Sequence, residues 1–390
     1  RKSLDVTGHN IANANNDSYS RQRAVHSATD PYTVPAIDSP AEAGQVGTGV
    51  EVSQIERIRN QFLDGQIREE SQSKGKWDKL YQGLHRIELT LNEPSDSGLN
   101  TALGLFWDSL QDLGNNPEDP ATRATVQDRG QALVDTLNIF NNQLTEYKES
   151  LNEDVHTTVD EVNSLAQRIA DLNKQITNVE FEGNKANDLL DARNKLFLEL
   201  NKKVNCRGSV DSDNNLNVSI SGIALVREDS VNSLRVDKNE NTEFEDKIYF
   251  NNFEHEADIT NGKLRGLLDT RDETIDKYLG DLNKLAEGLA DRFNEVHRNG
   301  FDADGNAGQD FFEIVDSENA SGTIKLTDVV SNDPNMIAAG TQPNPGNGEN
   351  AMALSDVKKK KKVIDGDVTV AGFYQSVIAR LGVEGQRAEQ

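Results

Sequence analysis

Oxygen-bearing side chains after residue 301 have the spacing of a calcium-binding loop and are the clearest candidates for site chemistry in this 390-residue sequence. Ligand-type residues stand at loop positions 1, 3, 5, 9 and 12, namely Asp302, Asp304, Asn306, Asp310 and Glu313. Position 6, which favours glycine for a sharp turn, is Ala307, and position 8, usually an apolar anchor, is Gln309. The pattern therefore favours a hydrogen-bonded Asp/Asn turn, and a calcium-binding surface adhesin remains the less favoured alternative.

Histidine and cysteine residues form no catalytic or metal-ligating pattern. The six histidines are scattered singly, and His255 with Glu256 lacks the second histidine of a zinc helix, because Ile259 occupies its position. Cys206 is the only cysteine in the sequence, which excludes a disulfide within it and a zinc site built from cysteines. No Walker lysine motif and no G-x-S-x-G elbow occurs. We therefore predict no catalytic residues, no cofactor and no metal, and hence not an enzyme.

The charge of the sequence argues against nucleic-acid and membrane partners. Forty-one basic residues face 66 acidic ones, for a formal net charge of −25, which disfavours attraction to phosphate backbones or anionic lipid. The run Lys358 to Lys362 has acidic neighbours and is interpreted as a solvated segment. No run approaches the roughly 18 to 20 apolar residues of a membrane span, and no signal peptide opens the sequence.

The elements that would position any site are dominated by long helices. Between Gln131 and Glu182 there is neither proline nor glycine, so we predict one helix of roughly 50 residues, about 75 Å long. Aliphatic residues recur along its second half with heptad spacing and form a predicted seam: Leu151, Val155, Val162, Leu165, Ile169, Leu172, Ile176 and Val179. Thr158 interrupts this seam, and Asn141 and Lys148 occupy apolar-type positions in the earlier half. These polar residues indicate that the helix changes neighbours there.

The periodicity then changes from that of a helix to that of a strand. Leu216, Val218 and Ile220 alternate with polar residues, and a helical pattern returns after Gly262. The predicted fold class is mainly α with an inserted β domain, in an elongated, multi-domain bundle of long helices that carry heptads. Four segments are expected: an N-terminal arm with a strand-like part (1–60), a long helical domain (61–203), the inserted β domain (204–262), and a return helix, irregular segment and final helix (263–390).

One short stretch carries a resemblance to a known family. The sequence NIANANNDSYSRQR, Asn10 to Arg23, looks like the N-terminal signature of bacterial flagellar axial proteins. Further stretches resemble the hook-associated protein 1 family, the first hook-filament junction proteins: GTGVEVSQIERIRNQFLDGQIR, LGLFWDSLQDLGNNPEDPATRATV, LLDARNKLFLELNKKV, GNAGQDFF and VAGFYQSVIARLG. Together these motifs cover most of the sequence in the expected order.

The resemblance implies a structural subunit that joins the flagellar hook to the filament and self-assembles into a ring of identical subunits through axial helical packing. It implies contacts with the hook protein, the second hook-filament junction protein and a flagellar export chaperone, and an extracellular location reached through the flagellar secretion channel. Asn10, Asn13, Tyr19, Arg21 and Arg23 are the implied subunit-contact residues. Another flagellar axial protein, of the hook or distal-rod type, is the main alternative.

Overall fold

A computed structural model describes residues 1–30, 32, 47–91, 95–96, 98–239, 244–252, 254–361 and 368–390. Within these ranges the fold is mainly helical with small antiparallel sheets, which confirms the predicted class. The helices are α1 (Lys2–Ala12), α2 (Gln61–Leu91), α3 (Leu99–Asn115), α4 (Pro120–Phe181), α5 (Asn187–Lys203), α6 (Gly262–Leu268), α7 (Ile275–Arg298), α8 (Ala320–Thr323), α9 (Asp328–Asn332), α10 (Glu349–Ser355) and α11 (Val370–Glu389).

The strands of the described residues pair only with antiparallel neighbours, and β3, β4, β5 and β6 form a four-stranded sheet in that order. Two-stranded sheets are formed by β1 with β2, β7 with β8, and β9 with β10. The strands are β1 (Gln22–Ala28), β2 (Val50–Arg57), β3 (Cys206–Val210), β4 (Leu216–Ile220), β5 (Ile223–Arg227), β6 (Ser230–Val231), β7 (Leu234–Asp237), β8 (Lys247–Phe250), β9 (Phe312–Ile314) and β10 (Ile324–Leu326).

The long helix α4 is longer than the sequence predicts. It starts at Pro120, which tolerates the first helical position because its missing N–H would have no helical partner there. Asp119 caps the start by accepting a hydrogen bond from the N–H of Ala121 at 3.0 Å. The helix ends at Phe181, after 62 residues, and Gly183 then adopts a positive φ of 79°. The predicted helix from Gln131 to Glu182 therefore exists, with an N-terminal extension.

The chain divides into two compact units. Unit 1 comprises Arg1–Lys76, His156–Asn239 and Asp246–Arg265, and unit 2 comprises Trp77–Val155, Glu240–Glu245 and Gly266–Gln390. The four predicted domains are continuous segments bounded by changes of periodicity, whereas each of these units combines several segments that contact one another. The four-domain division therefore stays a prediction.

In unit 1, asparagine side chains of α4 hold the small sheets against the helix. The amide of Asn163 bonds both main-chain groups of Leu234, at 2.8 Å each, and so replaces a strand partner at the start of β7. Asn173 accepts from the N–H of Leu216 at 3.0 Å and donates to the carbonyls of Leu216 and Glu228. A second close approach depends on Gly75, where a Cβ atom would lie 2.2 Å from the carbonyl oxygen of Lys202. Helix α2 can therefore lie against the end of α5 only because residue 75 has no side chain.

In unit 2, the core is a cluster of aromatic rings. Phe106 of α3, Phe293 of α7 and the adjacent Phe311 and Phe312 have ring centroids between 4.7 and 5.8 Å apart. All four are almost fully buried. Offset and edge-on contacts at these distances add to the burial of apolar area, so this cluster fixes the irregular segment after α7 to the helices.

The two polar residues at apolar-type positions of α4 have specific partners in unit 2. Asn141 is buried and donates to Asn319 and Ser321, at 2.8 Å each. Lys148 lies 2.7 Å from both Glu245 and Asp276. The expected change of neighbours along α4 is thus visible as polar contacts with other segments of the chain.

The helix that the sequence indicates after Gly262 contains a feature that the periodicity does not show. Residues Asp269–Thr274 form a π-helical turn between α6 and α7. In this polar stretch Arg271 is only 2% exposed; its Nη1 donates to Asn152 and its Nε to Asp272, at 2.5 Å each. The wider π turn accompanies the burial of a guanidinium that the sequence pattern would place in solvent.

Candidate functional site

The site carried by the signature motif lies in unit 1, where α1 and the loop after it meet β1, β2 and α5. Helix α1 has few buried side chains, with Val6 at 8% exposure. Leu4 and Ile11, seven residues apart on α1, are 75% and 71% exposed. Residues seven apart share a helix face, so α1 presents an apolar line to solvent in the isolated chain.

Asn10 connects the end of α1 to the start of β1. Its Oδ1 accepts from the N–H of Gln22 at 2.9 Å, and its Nδ2 donates to the carbonyl of Gln22 at 2.9 Å. The hydroxyl of Tyr19 donates to the same Oδ1 at 2.8 Å. Only a side-chain amide presents a donor and an acceptor in this arrangement, which explains the type of residue at position 10.

Tyr19 and His9 pack against each other on the outer side of this connection. The tyrosine hydroxyl lies 3.1 Å from His9 Nδ1, and the two rings are nearly perpendicular with centroids 5.1 Å apart. Burial, together with the negative charges of Asp188 and Asp191, raises the pKa of Tyr19 above its ordinary value. Tyr19 therefore stays a neutral hydrogen-bond donor over the physiological range.

Asp191 of α5 is the central acceptor of the site. Its carboxylate accepts from the N–H of Ser20 at 2.8 Å, from the Ser20 hydroxyl at 2.5 Å and from Arg57 Nη1 at 2.8 Å. Arg59 donates to the Ser20 hydroxyl at 3.1 Å and binds Asp64 through two nitrogens at 2.7 and 2.9 Å. We call the set Ser20, Arg57, Arg59, Asp64 and Asp191 the anchor network.

The first turns of α5 add two further contacts. Asp188 accepts from the side chain of Gln22 at 3.1 Å, and Asn187 donates to the carbonyl of Ile55 at 2.9 Å. Both β1 and β2 are thereby bonded to α5, so the loop between α1 and β1 is held at its C-terminal end by charge-assisted and neutral hydrogen bonds.

The five predicted subunit-contact residues have unequal surroundings. Asn10 and Tyr19 are hydrogen-bonded to each other. The side chain of Asn13 donates to the carbonyl of His9, four residues earlier, at 3.1 Å. Arg21 is exposed, and its main-chain carbonyl accepts from the N–H of Ile58 at 2.8 Å. Arg23 is exposed and lies 3.2 Å from Glu56, an ion pair of little energetic weight at such exposure. A contact role between subunits stays a prediction for all five.

The predicted heptad seam is buried inside the chain. Of its eight residues, six are at most 5% exposed, and Leu172 and Val179 are half-buried. In unit 1 Ile176 packs in one cluster with Ala186 and Leu190, which follow the α4–α5 turn. These side chains already contact the chain's own residues, so a role for the seam in packing between copies stays a prediction.

Sequence reasoning missed most of the anchor network. Ser20 lies inside the signature stretch, while Arg57 and Arg59 lie in ERIRN and Asp191 in LLDARN, and their residue types alone predict no role for them. The available signal was the presence of basic residues in one family motif and carboxylates in another.

The calcium-like spacing gives a turn rather than a cluster of ligands. The carboxylate of Asp302 accepts from the N–H groups of Asp304 and Asn306 and from the Asn306 amide, at 2.8 to 3.2 Å. Asp310 pairs with Arg298 and Glu313 with Lys325, so these carboxylates are directed to different cations. Across the described residues no three metal-ligating side chains come together.

The described part of the chain also has no helix that is long and apolar enough to cross a membrane.

Comparisons with known proteins identify the class of protein. Residues 84–312 match the family described as the flagellar hook-associated protein FlgK helical domain. A curated relative named flagellar hook-associated protein 1, from Bacillus subtilis, is 34% identical over 431 aligned residues that cover 99% of this chain and 83% of the relative. The protein of the same name from Salmonella typhimurium is 33% identical, over 83% of this chain and 60% of its own length.

The fold agrees with a solved structure. The flagellar hook junction protein FlgK from Burkholderia pseudomallei matches with a TM-score of 0.73 at 16% identity, over 83% of this chain and 96% of the other. The chain is thus one of the structural proteins of the bacterial flagellum. It belongs to the flagellar hook-associated protein 1 family.

Proposed function

We propose that this chain joins the flagellar hook to the filament by assembling into a ring of identical subunits, with the hook protein on one side and the second hook-filament junction protein on the other. In this proposal an export chaperone delivers the chain to the flagellar secretion channel, and the chain performs no catalysis. The work of the protein is mechanical, because it holds neighbouring subunits in a fixed arrangement.

The observation that carries the proposal is the combination of a firmly held loop with an uncovered helix. The anchor network fixes the chain at Ser20, and Asn10 fixes the end of α1 to β1. Yet Leu4 and Ile11 remain mostly exposed on the helix that this loop orients. Apolar side chains on one face of a positioned helix are suited to packing against helices of neighbouring subunits.

The proposal is tested by electron microscopy of cells that lack the gene. We expect hooks without filaments, and restoration of filaments by the wild-type gene. The substitutions Leu4→Asp with Ile11→Asp should leave the isolated chain folded, as judged by circular dichroism, but should abolish filament attachment. The control Lys2→Asp makes the same change of net charge at an exposed position on the other side of α1 and should retain filaments. Normal filaments in the null strain would refute the junction role.

A further inference from the structure

A groove in unit 1 is open to solvent beside the anchor network. Its volume is about 770 Å³, and it is bordered by the loop after α1, the start of α2 and the outer face of α5. Ile58, Leu63 and Ile67 line it and are 49%, 50% and 52% exposed. Apolar side chains left half uncovered along one groove favour a bound partner, because covering them removes apolar area from water.

The rim of this groove is basic, unlike the chain as a whole. Its lining includes five cations, Arg21, Arg59, Arg68, Lys195 and Lys202, and three carboxylates, Asp17, Asp64 and Glu199. Arg59 and Asp64 pair with each other. Lys195 and Lys202 are exposed on α5, and among the described residues neither has a carboxylate within 4.0 Å. In a chain of net charge −25, this rim carries unneutralised positive charge next to an apolar floor.

An acidic surface, opposite in charge to the rim of the groove, occurs in unit 2 on an exposed face of α4. Ile139, Glu146 and Glu153 follow one another at seven-residue intervals, and Glu149 lies between the two glutamates. Ile139 is 51% exposed, and the three glutamates are exposed. In the described part of the chain none of the three has a cation within 4.0 Å. We call Ile139, Glu146, Glu149 and Glu153 the acidic stripe.

The two surfaces match in spacing as well as in charge. Lys195 and Lys202 are seven residues apart on α5, as Glu146 and Glu153 are on α4. Seven residues of helix span about 10.5 Å, so two ion pairs can form together when the helices run side by side in either direction. Leu198 and Glu149 then lie near the middle of the contact, between the respective pairs of charges.

We propose that the basic groove of one copy of this chain binds the acidic stripe of a second copy. The proposal rests on the self-assembly proposed above and names the surfaces that perform it. Because the groove and the stripe are different patches, the contact is heterologous, and its repetition closes into a ring when the rotation between copies divides a full turn. Opposite charges select the partner face, and Ile139 with the groove residues supplies apolar contact.

Charge reversal with rescue is the first test, performed with the complete protein in cells that lack the chromosomal gene. Lys195→Glu with Lys202→Glu, and separately Glu146→Lys with Glu153→Lys, should each weaken self-association about tenfold and reduce the number of filaments per cell. The four substitutions together should restore filaments, because each ion pair is re-formed in reverse. The control Asp112→Lys with Glu118→Lys reverses two exposed carboxylates outside the stripe and should leave filaments unchanged.

Crosslinking in assembled flagella is the second test. Leu198→Cys combined with Glu149→Cys should give a ladder of crosslinked multimers with a short bis-maleimide, whereas either single substitution should give none. The native Cys206 does not interfere, because it is 3% exposed and burial raises its pKa far above the ordinary value.

These outcomes separate the two proposals. If the wild-type gene fails to restore filaments to the null strain, the junction role itself is wrong. If wild type restores filaments but the reversed variants attach them normally, or the fourfold variant is not rescued, or the paired cysteines do not crosslink, the contact between groove and stripe is wrong while the junction role stands.

Discussion

Ser20 is bound to Asp191 through both its main-chain N–H and its hydroxyl, at 2.8 and 2.5 Å, although the two residues are 171 positions apart. The same carboxylate accepts from Arg57, whose side chain is 17% exposed. The loop that carries the family signature is therefore fixed to α5 by one buried anion.

Replacing that anion should release the loop. We expect Asp191→Ala to lower the free energy of unfolding by about 3 kcal/mol, because it leaves the Arg57 guanidinium and the Ser20 N–H without their acceptor in a mostly buried setting. Chemical denaturation measures the loss, and limited proteolysis should show faster cleavage within residues 1–30. Asp213→Ala, at an exposed turn, is the matched control and should change stability by less than about 0.5 kcal/mol. An equal effect of both substitutions would show that Asp191 has no special role.

Asn173 should contribute as much to holding the four-stranded sheet against α4 as Asp191 contributes to holding the loop between α1 and β1. Its amide bonds Leu216 through both main-chain groups, donates to the Glu228 carbonyl and accepts from Arg193 Nη1 at 2.9 Å. We expect Asn173→Leu to cost about 3 kcal/mol or more, since several buried polar groups lose partners at once. The measurement is equilibrium unfolding in urea.

The control for that prediction lies on the same helix. Gln167 is exposed and, among the residues that the structure describes, donates only to Asp171, one turn further along α4. Gln167→Leu should therefore leave the urea midpoint nearly unchanged. If Asn173→Leu behaves like the control, the amide is not what holds β4 to α4.

The helices of this fold could be predicted from the sequence because their signal is local. The apolar period in α4 extends over many turns, and the alternation around Val218 marks β4 in the same way. The π-helical turn at Asp269–Thr274 could not be predicted, because its six polar residues leave no apolar period to interrupt. Burial of Arg271 depends on Asn152, which is remote in sequence.

The anchor network could not be predicted for a related reason. An aspartate in an amphipathic helix such as α5 is normally interpreted as part of a solvated face, and only the approach of Ser20 and Arg57 makes Asp191 a buried acceptor. Asn10 could be singled out through the family resemblance, but its partner Gln22 could not. Resemblance indicates which residues belong to a motif, whereas the contacts they make come from tertiary structure.

Thr158, the residue that interrupts the heptad, should lower the free energy of unfolding relative to an apolar residue of the same shape. It is fully buried, and within the described part of the chain its hydroxyl has no hydrogen-bond partner. We expect Thr158→Val to raise the free energy of unfolding by about 1 kcal/mol, because valine has nearly the same shape without the buried polar atom. Thr177 is the control, since its hydroxyl donates to Asn215 at 2.9 Å. Thr177→Val should destabilise the protein, and a gain for both variants would mean that valine stabilises α4 for reasons unrelated to the hydroxyl.

His297 should make unit 2 sensitive to acid. It is fully buried on α7, where its Nε2 accepts from the N–H of Ala338 at 2.9 Å and its Nδ1 faces the carbonyl of Gln309. Burial lowers the pKa of His297 to about 4, outweighing the opposite effects of the Gln309 carbonyl, Asp310 and Asp302. Because the unfolded chain binds this proton near pH 6.5 and the folded chain only near pH 4, stability should be complete above pH 6.5 and fall progressively between those values.

The loss attributable to His297 should reach about 3 kcal/mol at pH 4, from a difference of roughly 2.5 pKa units. Urea unfolding followed at a series of pH values measures it. His297→Gln should be less stable at neutral pH, because the shape and the paired contacts change, but its stability should depend less on pH between 6.5 and 4. His85→Gln removes an exposed histidine and should keep the wild-type dependence. A wild-type slope in the His297→Gln variant would assign the acid sensitivity to other groups and contradict the burial of a neutral imidazole at this position.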